Sequence, residues 1–93
     1  MKVKNLNGTS KNKCKCGSWI KHWRKYSNQE ATVCRVVGCS RKDLVGAHVQ
    51  KVVNYDGKWY IVPFCKGHNG TSGSFEIIQG TKLVSAKVSS TCG

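Results

Sequence analysis

Ninety-three residues, 39% of them hydrophobic, allow one domain with a modest core, a size at which folds recruit disulfides or a metal as a staple. Sixteen Lys and Arg against four acidic residues give a formal charge of +12, which favours DNA or RNA as partner and fits an acidic protein surface equally well. No stretch approaches the roughly 20 apolar residues of a membrane-spanning helix, so no membrane partner is expected.

Past Met1, residues 1–13 consist of Lys, Asn, Gly, Thr and Ser with one Val and one Leu. That composition is too polar for a packed element and predicts a flexible basic arm over 1–13, followed by a single domain over 14–93. Half of the basic residues fall within the first 25 positions, where no acidic residue occurs. Lys11, Lys13, Lys15, Lys21, Arg24 and Lys25 are therefore the candidate nucleic-acid-binding residues. Ser18 is placed to cap a short helix over WIKHWRKY, in which Trp19, Trp23 and Tyr26 fall on one side at i, i+4 and i+7. That side is expected to face the core, although aromatics beside Lys21, Arg24 and Lys25 also suit stacking against single-stranded nucleic acid.

Strand material follows in ATVCRVV, LVGAHVQKVVNY and KWYIVPF, with Asp56-Gly57 as a hairpin turn between the last two and Pro63 closing the hairpin. Three glycines in CKGHNGTSGS limit any helix there to one or two turns. The alternating runs SFEIIQG and KLVSAKVSS, separated by a glycine-containing turn, predict a C-terminal β-hairpin.

Six cysteines in so short a chain suit a disulfide scaffold, but the basic N-terminal stretch has no apolar run of signal-peptide length. The expectation is a reducing cytoplasmic setting, where closely spaced Cys and His hold zinc more often than they form bridges. Cys34 and Cys39 are separated by four residues that include Gly38, and Cys65 and His68 by two. The first spacing lets a knuckle present two thiolates to one ion, and the second puts two ligands on one face of a helical turn. Together they form a Cys3His tetrahedron for a structural Zn²⁺. Cys14, Cys16, His22 and Cys92 can make a second metal site; they can equally be free thiols or a redox-labile pair. His48 has three readings: a hydrogen-bonded strand histidine, a general base and a metal ligand.

A knuckle, a strand ending in His48, a hairpin and then IVPFCKGHN resemble the zinc-containing HNH endonucleases and, more broadly, the treble-clef zinc fingers, over residues 34 to about 70. The resemblance implies a small α+β domain, zinc-stapled and ββα-like, to which the periodicity adds an N-terminal helix and the C-terminal hairpin. It also implies that Cys34, Cys39, Cys65 and His68 are the staple, that His48 is the base acting on a water, and that Asn69 helps complete a second, catalytic Mg²⁺ or Mn²⁺ site. The sequence departs from the family at Ala47, where the family places an acidic metal ligand beside the strand histidine, and at GTSGS, where the family continues a helix. Three functions follow: a nucleic-acid-binding zinc domain, an HNH-like metal-dependent endonuclease, and a protein-binding adaptor, such as a small phage or mobile-element factor.

Overall fold

The computed structural model describes residues 1–6 and 18–87. Five strands form one antiparallel sheet: β1 (Lys2–Asn5), β2 (Leu44–Lys51), β3 (Tyr60–Cys65), β4 (Gly73–Glu76) and β5 (Val84–Ser85), in the order β4-β1-β2-β3-β5. Helix α1 (Trp19–Ser27) lies between β1 and β2 in the chain, and the four-residue helix α2 (Lys66–Asn69) follows β3 directly.

Side chains alternate across a strand, so the sheet has two faces. On one, Val3, Ala47, Val49, Val62, Phe64 and Ile77 pack with Cys34 and Cys65. On the other, Ile61 and Val84 pack under Trp23 of α1, with Trp19 and Leu44 beside them. The register pairs Ala47 with Val62 and His48 with Ile61. Successive residues of β2 therefore serve different cores. Gly46 makes the second face possible: a Cβ built there would stand 2.4 Å from the backbone carbon of Trp19, so only glycine lets α1 lie directly on β2.

The β2–β3 hairpin forms where the sequence places it. Asp56 Oδ1 accepts from the Lys58 amide at 3.0 Å, and Gly57 takes a φ of +72°. Pro63 sits inside β3 rather than at its end, opposite Gly46. Its carbonyl accepts from the Arg35 amide at 3.0 Å, on the side away from β2. The missing proline N–H lies on that same side and takes nothing from the β2–β3 ladder.

Four expectations are corrected. Residues 1–13 do not begin as a loose arm, because Lys2–Asn5 is an interior strand paired with both β2 and β4. Val3 and Asn5 are buried while the two lysines point outward, and one apolar residue in four is too weak a signal to read as a strand. Residues 7–13 lie outside the described residues. The helix is accordingly the second element. Its inward face is centred on His22 and Trp23, with Tyr26 37% exposed. The C-terminal runs form no hairpin, because β4 and β5 stand at opposite edges of the sheet. Residues 77–82 cross between those edges held by other partners: Ile78 N donates to Arg35 O at 2.8 Å, and Trp23 Nε1 to Lys82 O at 2.8 Å. ATVCRVV likewise contributes one bridge, Val36 to Ile77, rather than a strand.

Candidate metal centre

Cys34, Cys39, Cys65 and His68 converge, with one ligand atom from each lying within 4.8 Å of all the others. Three local structures place them. The knuckle turns at Gly38, whose φ of +83° is the left-handed region that favours glycine. It is closed by Cys39 N donating to Val36 O at 3.0 Å and by Cys34 N donating to Arg41 O at 2.9 Å. Cys65 ends β3 and caps α2, its sulfur accepting from the His68 amide at 3.4 Å. That single turn of helix carries His68 back over Cys65. The imidazole edge then packs against Phe64 and Phe75 at 6.3 and 5.0 Å between ring centroids.

The distances suit one ion. His68 Nδ1 lies 3.3 Å from the Cys65 sulfur and 3.5 Å from that of Cys34, and the Cys39 and Cys65 sulfurs are 4.0 Å apart. A tetrahedron with metal–sulfur bonds of roughly 2.3 Å has edges of about 3.8 Å. Three thiols and an imidazole form a soft, closed donor set that can hold a metal ion structurally. The thiols differ in readiness. Burial pushes Cys34 up to about 11, whereas the backbone around Arg41 hydrogen-bonds the half-exposed Cys39 and lowers its pKa. The Arg41 guanidinium grips Asp43 with two 3.1 Å hydrogen bonds and adds a smaller positive contribution at Cys39. A metal must displace a proton from Cys34, so its affinity rises with pH.

The remaining candidates fall elsewhere. His48 is 3% exposed on the α1 face, wedged edge-on against Trp19 at 4.6 Å and Trp59 at 6.0 Å, with no hydrogen-bond partner at Nε2 among the described residues. Burial, with a smaller contribution from nearby His22, lowers its pKa to about 4. Asn69 ends α2 on the opposite, metal-bearing side, so the sheet stands between the residues assigned to base and second metal. Ala47 is buried in the metal-side core. His22 is buried under α1 and its Nε2 lies 2.9 Å from Ser85 O; Cys14, Cys16 and Cys92 lie outside the described residues. Lys21, Arg24 and Lys25 are exposed on the outer side of α1, and Lys11, Lys13 and Lys15 lie outside the described residues.

Asn5 supports the site structurally and carries no sequence signal. Its Nδ2 donates to His68 O, Asn69 O and Thr71 O at 3.2, 2.7 and 2.9 Å. These carbonyls lie at the end of α2 and just beyond it, so β1 anchors the helix that carries His68. Arg41 was findable from its place two residues after Cys39. Comparison with known proteins gives no match: no family model, no curated protein and no solved structure is similar to the chain. Among the described residues no helix is long and apolar enough to cross a membrane.

Proposed function

We propose that the chain is a zinc-stapled domain of treble-clef type that binds nucleic acid through a basic surface. The convergence of Cys34, Cys39, Cys65 and His68 carries the first half of this reading. The order of knuckle, β2–β3 hairpin and helix start along the chain supports the treble-clef part of the reading. Zinc suits three thiolates and one imidazole, and at this core size its binding energy is folding energy. The charge of +12 and the exposed row of Lys21, Arg24 and Lys25 along α1 support the second half. Arg24 is the one of the three that meets an acid, 4.0 Å from Glu30, a distance at which an exposed pair contributes little. The separation of His48 from Asn69 across the sheet supports binding without cleavage.

Fluorescence anisotropy of labelled single-stranded and duplex oligonucleotides, titrated at low and high salt, tests the reading. Affinity should fall steeply with salt, and replacing Lys21, Arg24 and Lys25 together by Gln should flatten the log–log slope by about 2 to 3. Absence of binding at low salt would leave an acidic protein as the partner.

A further inference from the structure

Trp59 lines a cleft of about 470 Å³ together with Lys58, Ser85, Ala86 and Lys87. The volume falls within the roughly 300–1,000 Å³ of small-ligand sites. The indole is 40% exposed and lines the cleft. It is also held in place. His48 meets it from the buried side at 80° between ring planes, and Ala86 N donates to Trp59 O at 3.0 Å, continuing the pairing of Tyr60 with Ser85. The two lysines make the cleft positive. The acid nearest in sequence, Asp56, is engaged by the Tyr60 hydroxyl at 2.5 Å, the Lys58 amide at 3.0 Å and Lys51 Nζ at 3.6 Å. Ser85, in the cleft wall, also meets the buried His22 of α1 through its carbonyl at 2.9 Å.

We propose that this cleft binds one nucleotide of a single-stranded nucleic acid, its base stacked on Trp59 and its flanking phosphates on Lys58 and Lys87. The inference deepens the nucleic-acid reading and rests on it. A flat apolar face beside two ammonium groups matches a base joined to phosphates, and an anion alone would make no use of the indole. In a duplex the bases are stacked on one another and their faces are closed to a side chain, so single strands should bind more tightly than duplexes. Sequence preference should be weak, because every base offers a face.

The test uses oligo-dT, oligo-rU and a duplex of about ten nucleotides or base pairs, within the span such sites cover, against the zinc-loaded full chain. Binding is followed by anisotropy and by tryptophan quenching. Trp59→Ala should weaken single-strand binding about 10- to 100-fold with little effect on the duplex. Trp59→Phe should keep most of the affinity while abolishing the quenching, because Trp19 and Trp23 lie against the sheet. Lys58→Gln with Lys87→Gln should reduce the salt slope by about 1 to 2. Equal responses of oligo-dT and oligo-rU would make the base and phosphate the recognised chemistry, and a preference for either would identify the source. If Trp59→Ala loses metal, Trp59→Phe decides: retained quenching would place the ligand elsewhere and overturn the proposal. Unchanged single-strand affinity in a folded Trp59→Ala protein would overturn it too while leaving the broader reading standing. A wild-type chain that binds no oligonucleotide would remove both.

Discussion

The two faces of the sheet are stabilised by different physics. On the metal side, four ligands from the knuckle, the end of β3 and α2 are brought close enough together for one ion to join them. On the α1 side, Trp23, Ile61 and Val84 close a small apolar core, and the buried histidines are edged by aromatic rings. The metal face carries the larger apolar cluster, around Val3, Val49, Val62, Phe64 and Ile77, and sets four ligands that can hold an ion at its margin. The α1 face depends on close approach, with Gly46 against Trp19 as its tightest point. Because β2 and β3 belong to both, loss of the metal should dismantle both faces, whereas loosening α1 should leave the metal bound.

The largest effect should come from the ligands. Cys34→Ser or Cys65→Ser removes on the order of 10 kcal/mol of metal-linked folding energy, comparable to a whole domain's stability. Far-UV circular dichroism should show both faces unfolding together, with zinc absent from the dialysed protein. Gly46→Ala should cost about 3 kcal/mol through overpacking against Trp19. Thermal melts should register the loss while the zinc content stays stoichiometric, with NMR shifts concentrated in α1, Gly46, His48 and β5. Equal disturbance of the knuckle would contradict the division between faces.

Asn5→Leu leaves the carbonyls of His68, Asn69 and Thr71 without their shared donor and should cost about 2 kcal/mol. Competition with a chelating dye should show zinc affinity reduced about 30-fold, since the lost anchor holds the helix that carries His68. The smallest effect is the pH response of the α1 face. His48 is held neutral with a pKa of about 4 against an ordinary 6.5, so below pH 6.5 the unfolded chain takes up a proton that the folded chain refuses. Stability is therefore fully present above 6.5 and falls as pH drops toward 4. At about pH 5.5 the loss is about 1 kcal/mol. His48→Leu should remove that component from melts compared at about pH 7.5 and 5.5, while the acid loss of zinc ligation remains in both proteins.

The sequence made the metal side legible because ligand chemistry is written in residue type and spacing. Cys34 with Cys39 and Cys65 with His68 could be paired without knowing where the strands lie, and Asp56-Gly57 marked the hairpin joining them. What stayed hidden depended on long-range pairing. Lys2–Asn5 has one strongly apolar residue, and it becomes an interior strand because β2 and β4 supply hydrogen bonds on either side. The alternation of SFEIIQG and KLVSAKVSS was real, yet their partners are β1 and β3 rather than each other, a choice that local pattern cannot express. His48 was visible as a strand histidine, but the face it occupies follows from a register set by the whole hairpin. Tyr26 shows the same limit on a helix, where a rotation of part of a turn brings His22 inward and leaves an aromatic ring exposed.

The central claim is that one ion holds the two faces together, and its most direct test is a chelator titration of the reduced protein. Native mass spectrometry would count bound zinc while amide NMR spectra follow both faces. The account predicts one zinc per chain, with the signals of β2, β3 and α1 collapsing together as it is withdrawn. A metal-free, reduced chain that keeps a dispersed spectrum on both faces would contradict it.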